Sequence, residues 1–86
     1  MVSTVVGFDV QVVDGEGIPV PLIEVGARYR YPTAPRTWSS ELTNGDGCAH
    51  FQDDHAEPPT DVCLFVGDED CGTHTLTPGA CYVLEM

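Results

Sequence analysis

Residues 23–31 read Ile-Glu-Val-Gly-Ala-Arg-Tyr-Arg-Tyr, and this stretch decides the fold. Apolar side chains occupy every second position, and polar side chains or glycine stand between them. Successive side chains of a strand point to opposite faces, so this order places the large apolar groups on one side. A helix would scatter the same residues around its circumference. The stretch therefore predicts a strand with one buried face.

The same alternation continues in both directions along the chain. Turn residues separate the segments, and Asn44-Gly45 is the strongest hairpin signal because this pair supplies the positive φ angles of a tight turn. Strands are predicted at 6–12, 23–31, 37–43, 48–52, 61–66, 73–77 and 81–84. No window favours a helix longer than a turn. Seven short strands at this spacing predict an all-β fold, a seven-stranded antiparallel Greek-key sandwich formed by a single domain over residues 1–86.

The charge of the chain is strongly unbalanced. It has no lysine and only three arginines against fourteen aspartates and glutamates, which gives a formal net charge of −11. Such a surface repels phosphate backbones and anionic bilayers, so we expect no nucleic-acid partner. No stretch approaches the roughly 20 apolar residues that cross a bilayer, so we expect no membrane insertion. The acidity is interpreted as favouring solubility, with a cationic partner or Ca²⁺ as the alternative.

The four cysteines, Cys48, Cys63, Cys71 and Cys81, are an even set in a short chain. Such a set suggests two disulfides in an oxidising compartment, although buried free cysteine is an equally ordinary core residue. Cys63 and Cys71 flank residue 67 symmetrically, so an odd-length hairpin loop would place them opposite each other and leave Cys48 to pair with Cys81. Paired cysteines would indicate an extracellular or cell-surface protein, and free cysteines a cytoplasmic one.

Two motifs resemble a known family. Residues 10–20, Val-Gln-Val-Val-Asp-Gly-Glu-Gly-Ile-Pro-Val, are similar to the opening of transthyretin-like or carboxypeptidase-regulatory-like domains, where a strand ends in a D-x-x-G-x-P turn. Residues 43–51, Thr-Asn-Gly-Asp-Gly-Cys-Ala-His-Phe, resemble the second motif of that family, a T-x-x-x-G-x-A-x-F hairpin. With the segments that they delimit, the two motifs cover about half of the chain. The resemblance implies a prealbumin-like, broadly Ig-like sandwich that serves as an accessory module.

One branch of that superfamily is enzymatic, the 5-hydroxyisourate hydrolases. Those enzymes close with a Tyr-Arg-Gly-Ser tail and carry an early catalytic histidine. This chain ends with Tyr82-Val-Leu-Glu-Met86, and its first histidine is His50. The hydrolase activity is therefore not carried over.

The densest cluster of potential metal ligands is Asp53, Asp54, His55 and Glu57. Carboxylate oxygens suit Ca²⁺ or Mn²⁺ and an imidazole suits Zn²⁺, but a solvated loop between strands explains the cluster better. We expect no metal and no cofactor. No serine lies in a nucleophile elbow, and nothing singles out a cysteine–histidine pair such as Cys48 with His74. The sequence therefore gives no catalytic residues, and we expect no enzyme.

The entire arginine content of the chain falls within nine residues. Arg28, Arg30 and Arg36 stand beside Trp38, interleaved with two tyrosines that the strand phase places on the core side. These four residues are the candidate interface or ligand face, since arginine holds carboxylates and an exposed indole stacks on a sugar. A packed Trp38 at the centre of the sandwich is favoured over a binding platform.

The sequence therefore favours a non-catalytic accessory module that mediates association with a protein partner or with a second copy of itself. The alternative is a carbohydrate-binding domain that uses Trp38 and the neighbouring arginines. An exposed Trp38 would favour the carbohydrate function.

Overall fold

The first strand of the computed structural model, which describes residues 4–86, follows the predicted alternation. β1 spans Thr4–Val13, and its side chains at positions 6, 8, 10 and 12 are buried while those between them are partly or largely exposed. The β-branched valines favour the extended backbone and pack well on a pleated surface.

Six further strands complete two sheets. The three-stranded sheet has the order β4-β1-β7 and the four-stranded sheet the order β3-β2-β5-β6. The remaining strands are β2 (Glu24–Arg30), β3 (Thr37–Leu42), β4 (Cys48–His55), β5 (Asp61–Val66), β6 (Glu69–Thr75) and β7 (Cys81–Glu85). The prediction of an all-β chain with seven strands is confirmed. Residues 4–86 contain no helix that could span a membrane.

The core lies between the two sheets. Phe8 of β1 stacks on Phe51 of β4 with ring centroids 5.0 Å apart, and its edge meets Tyr29 of β2 across the core at 6.2 Å. β1 and β2 are each paired on both sides, so their inward side chains are fully covered. The other buried apolar residues are Val6, Val10, Val12, Val25, Ala27, Ala49, Val62, Leu64, Val66, Leu76 and Leu84.

One strand pair differs from the predicted all-antiparallel arrangement. β7 runs parallel to β1, with Asp9 opposite Cys81 and Val13 opposite Glu85. A parallel pair needs a crossover connection, and the five strands β2 to β6 provide it here. The last of them, β6, belongs to the other sheet, so the chain crosses between the sheets before β7 begins.

The two sequence motifs meet at one end of β1. Asp14 closes the first turn, since its Oδ1 accepts hydrogen bonds from the backbone N–H groups of Glu16 (2.8 Å) and Ile18 (3.0 Å). Gly47, in the second motif, adopts a φ of +73°. A Cβ at Gly47 would lie 2.8 Å from the carbonyl oxygen of Val12 and 2.9 Å from Cβ of Pro19. The glycine thus allows the two turns to touch.

Of the two alternatives that the sequence leaves open, this structure has the four cysteines free. The β5–β6 hairpin is closed by a tight turn, and a bulge between Cys63 and Phe65 then aligns Cys63 with Thr73 instead of Cys71. In the other sheet β1 lies between the remaining two cysteines. Two strand spacings of about 4.8 Å put their Cα atoms beyond the roughly 7 Å that a disulfide can bridge.

Two strand boundaries differ from the prediction in ways that matter for the site. Residues 53–55, predicted to lie in a solvated loop, belong to β4. The strand continues as far as His55 because it stays paired with β1 up to the pair of His55 with Thr4. The connection between the strands predicted at 61–66 and 73–77 is shorter than expected, since β6 begins at Glu69. The longer β4 places Asp53 and His55 on the inner side of the sheet, next to the end of β2.

Candidate ligand site

Trp38 lies on the outer surface of the four-stranded sheet. It is paired with Arg28 across β2 and β3, and its side chain is 55% exposed. The favoured prediction of a packed core tryptophan is therefore wrong. The physical reason is strand phase, because Arg28 alternates with the buried Ala27 and Tyr29, and the residue opposite Arg28 must share its outward face.

The indole is held flat by two neighbours that the sequence did not single out. The Trp38 ring lies over Gly26, where a Cβ would overlap the ring atoms. Its centroid is 5.4 Å from that of Phe65 on β5, the cross-strand partner of Gly26. The six-membered ring of the indole thus rests against the sheet, while the side chain remains about half exposed. This exposed ring is called the Trp38 platform below.

The three arginines converge beside this platform. Arg28, Arg30 and Arg36 line a small cleft of about 150 Å³ together with Cys63 and Thr73, called the arginine cleft below. The guanidinium carbon of Arg28 lies 5.2 Å from the centre of the Phe65 ring, a cation–π contact that fixes the direction of this side chain. All the arginine charge of the molecule is therefore gathered on one face.

A larger pocket opens where the edge strands β3 and β4 approach each other. Its volume is about 450 Å³, within the usual range for small-molecule sites. Trp38 and Arg36 border it, so it adjoins the arginine cleft through a shared residue. The remaining lining residues of this β3–β4 pocket are Tyr29, Tyr31, Ala34, Pro35, Thr37, Ser39, Asp53, Asp54, His55, Ala56 and Glu57. The structure thus brings together two clusters that are 15 or more residues apart in sequence.

Tyr29 and Asp53 form the inner wall of the β3–β4 pocket. The Tyr29 hydroxyl donates a 2.6 Å hydrogen bond to Oδ2 of Asp53. Burial of the ring, reinforced by this bond and by the charge of Asp53, raises the pKa of Tyr29 far above its usual range. The tyrosine therefore stays a neutral donor, and the carboxylate of Asp53 is already engaged.

His55 is buried against both tyrosines. Its Nδ1 lies 2.6 Å from the Tyr31 hydroxyl, which is also 2.7 Å from Oγ1 of Thr37. This chain of contacts links β4 to β3 through Tyr31. Burial lowers the pKa of His55, although the charges of Asp53 and Asp54 oppose the effect. The Nε2 atom is buried and has no hydrogen-bond partner within the described residues. Protonation of the ring would place a charged, unpaired N–H at this buried position, which costs more free energy than a neutral nitrogen there.

Glu57 fixes the loop that carries Arg36. Its carboxylate accepts hydrogen bonds from the backbone N–H and hydroxyl of Thr33 (3.0 and 2.8 Å) and from the N–H of Ala34 (2.6 Å). These bonds to the charged form lower the pKa of Glu57. The role of Glu57 is therefore to position the segment between β2 and β3.

The four weak metal candidates do not form one site. Asp53 binds Tyr29, His55 contacts Tyr31, Glu57 holds the 33–34 backbone, and Asp54 is an exposed residue opposite Val5. Across residues 4–86, no three His, Cys, Asp or Glu side chains are grouped as a metal ion would require. The alternation of β4 explains the result, since it directs Asp54 to the sheet face opposite to Asp53 and His55.

The other two histidines lie away from this pocket. His50 pairs with Asp9 on the outer face of the three-stranded sheet, with Nδ1 and Oδ1 2.6 Å apart. That hydrogen bond raises the pKa of His50. His74 is on β6, while Cys48 is on β4 of the other sheet, so the cysteine–histidine pair considered from the sequence is not assembled.

The buried imidazole gives a testable pH dependence. Because folding lowers the pKa of His55, the unfolded chain takes up the proton first as the pH falls through about 6.5. The contribution of His55 to stability is therefore greatest above pH 6.5 and declines below it. We expect the urea midpoint to fall between pH 7.5 and pH 5.5, and to fall less in His55→Phe, which keeps an aromatic ring but cannot titrate. Equal falls in both proteins would contradict this assignment.

Comparisons with known proteins concern the fold alone. No protein-family model and no curated protein matches the sequence. Among solved structures, the chain is similar to a 9R-lipoxygenase from Cyanothece PCC8801, with a TM-score of 0.50 and 15% sequence identity. The match covers 94% of this chain but only 16% of the lipoxygenase chain. At this identity the likeness supports a shared all-β architecture and carries no functional residue across.

Proposed function

We propose that this domain is a non-catalytic binding module whose ligand is a carbohydrate. The observation that carries the proposal is the exposed Trp38 platform at the border of the 450 Å³ pocket. Sugar rings present an apolar face that stacks on an aromatic ring, and hydroxyl edges that need nearby polar groups. Trp38 offers the first, and Ser39 and Arg36 offer the second around the same opening.

The state of the polar groups supports binding over catalysis. Asp53 accepts the Tyr29 hydroxyl, the Nδ1 of His55 contacts Tyr31, and Glu57 accepts three bonds from the 33–34 segment. Each candidate base therefore already holds the wall of the pocket together. A general base must instead reach a substrate proton directly or through one water.

We also propose that the fold is a prealbumin-like Greek key of the transthyretin-like or carboxypeptidase-regulatory-like type. The contact between Gly47 and the Asp14–Pro19 turn supports this assignment, because it joins the two motifs that carry the resemblance. Accessory modules of that type would suit a binding function.

The test uses the single tryptophan of the chain as its own reporter. A panel of neutral, amino and acidic oligosaccharides is titrated while the fluorescence of Trp38 is followed, with calorimetry as a second measurement. We expect at least one saccharide to bind and quench the emission. Trp38→Ala should weaken that binding, measured by calorimetry, about five- to tenfold, since an aromatic stack contributes about 1–1.5 kcal/mol.

Two further variants separate the platform from a general surface effect. Gly26→Ala keeps Trp38 but pushes its ring from the sheet, so it should reduce affinity and shift the emission. Leu42→Ala removes an exposed apolar group from the same face of β3 and should leave affinity unchanged. Failure of every saccharide to bind at millimolar concentration, or full affinity in Trp38→Ala, would reject the carbohydrate proposal.

The second candidate function is association with a protein partner or a second copy. It is favoured by Trp38 and Leu42, which are 55% and 61% exposed on β3, an edge strand. Two copies that each carry a net charge of −11 repel, so self-association should strengthen with added salt. Sedimentation velocity at 50 and 500 mM NaCl would detect it, and Leu42→Asp should abolish it. A single concentration-independent monomer at both salt levels would exclude self-association.

A further inference from the structure

Within residues 4–86 none of the three arginines of the arginine cleft forms an ion pair, although Asp61 is the cross-strand partner of Arg30. Across residues 4–86, the one ion pair closer than 4 Å joins His50 to Asp9. No arginine side chain in that range donates a hydrogen bond to another residue. Guanidinium groups carry five donors each and are ordinarily the first partners of nearby carboxylates. In a chain with fourteen carboxylates, three unpaired arginines in one cleft are a distinct arrangement.

The positions of the arginines are set by the sheet. Arg28 and Arg30 are two residues apart on the outward face of β2, so their stems emerge about 7 Å apart. The Phe65 ring beneath Arg28 fixes one guanidinium, and Glu57 fixes the segment that leads to Arg36. Arg28 and the backbone before Arg36 are thus restrained before any ligand arrives, which reduces the entropy lost on binding.

The cleft is large enough to admit a carboxylate or sulfate group. Its volume of about 150 Å³ is a third of the volume of the β3–β4 pocket, and Thr73 adds a hydroxyl to its wall. Arginine matches carboxylate geometry with two parallel N–H bonds, and it also binds sulfate. Because Arg36 borders both openings, one ligand could place a ring on Trp38 and an anionic substituent among the arginines.

The charge of the remaining surface restricts what kind of anion fits. Fourteen carboxylates surround a single cationic patch, so an extended polyanion such as a nucleic acid would meet repulsion beyond the cleft. Charges more than about 8–10 Å away are screened at physiological salt, so a compact ligand with one or two anionic groups is attracted by the cleft alone.

From these observations, and resting on the carbohydrate binding proposed above, we infer that the ligand is an acidic saccharide. Its sugar ring lies on Trp38, and its carboxylate or sulfate is held by Arg28, Arg30 and Arg36. A carboxylate would come from a uronic acid and a sulfate from a sugar sulfate ester.

The test compares three trisaccharides that differ in this group alone: galactose, galacturonate and galactose 6-sulfate. Binding is measured by Trp38 fluorescence and calorimetry at 50 and 300 mM NaCl. We expect an acidic trisaccharide to bind at least tenfold more tightly than the neutral one, and to lose affinity as salt rises. Which acidic probe binds identifies the anionic group. Arg28→Gln and Arg36→Gln should remove the preference for the acidic trisaccharides while leaving the thermal unfolding midpoint unchanged.

A matched control excludes an effect of net charge. Gln52→Glu also adds one unit of negative charge, but on the outer face of the three-stranded sheet, and it should keep the preference. Equal affinity for neutral and acidic trisaccharides would overturn the inference while leaving carbohydrate binding intact. No binding of any saccharide in the broader panel would overturn both. If Gln52→Glu weakens the binding of the acidic trisaccharides as much as Arg28→Gln does, the arginine cleft is not the binding site.

Discussion

Replacing Phe8 with alanine should destabilise the domain by about 3–5 kcal/mol, the usual cost of removing a buried phenylalanine. Phe8 is 1% exposed and touches three aromatic rings, those of Phe51, Tyr29 and Tyr82. These rings come from both sheets, so the cavity would open at the centre of the core. Natural domains are stable by only about 5–15 kcal/mol, and a chain of this length belongs near the lower end.

Urea unfolding followed by far-ultraviolet circular dichroism measures this effect. Trp38 fluorescence is a poor reporter here, because the ring is already half exposed in the folded state. The control is Val5→Ala, which removes an exposed side chain from the same strand and should change stability by less than about 0.5 kcal/mol. Comparable losses in the two variants would mean that the core does not centre on Phe8.

Replacing Gly47 with alanine should cost about 2–4 kcal/mol. The left-handed conformation penalises any Cβ by about 1–2 kcal/mol, and overpacking adds about 1–3 kcal/mol. The neighbours of the new methyl group are backbone atoms of Val12 and Val20 and the ring of Pro19, none of which can rotate away. The new methyl group could be accommodated only if the two turns moved apart.

Thermal unfolding gives the clearest measurement for this pair of variants. A loss of this size should lower the midpoint by roughly 10–25 °C in a domain of this length. Gly45→Ala is the matched control, since Gly45 lies in the same turn with open space around its Cβ position. We expect its midpoint to stay within a few degrees of the parent. An equal fall in both variants would show that the turn itself, and not its contact with Pro19, sets the stability.

Strand phase could be predicted from the sequence because it depends on neighbouring residues. The alternation at 23–31 correctly separates the buried Tyr29 from the exposed Arg28. Which strands pair with one another could not be predicted in this way. The bulge that displaces Cys71 and the parallel contact of Asp9 with Cys81 depend on the arrangement of whole strands, which local alternation does not encode. The pairing of the cysteines therefore could not be predicted from the local sequence.

The site was predictable in its parts but not in its assembly. The arginines and Trp38 stood out by composition, and residues 53–57 by their density of ligands. The Asn44-Gly45 signal predicted a hairpin of β3 with β4, but the two strands are edge strands of different sheets, and the pocket lies where those edges approach each other. Phe65 could have indicated the position of the Trp38 ring, because it is an apolar residue on the outward face of β5. An outward aromatic beside an outward glycine on the next strand marks a place where a ring can lie flat on a sheet.

The parallel alignment of β1 and β7 has a mechanical consequence. Thr4 begins β1 at one end of a molecule 44 Å long, while Met86 donates its backbone N–H to Val13 at the other end of the same strand. Tension between residues 4 and 86 would therefore pull two neighbouring strands along their length in opposite directions. The hydrogen bonds between them would be loaded together in shear, and would not open one after another like a zipper. We therefore expect the domain to resist force applied between these two residues, and force spectroscopy on tandem copies would measure that resistance directly.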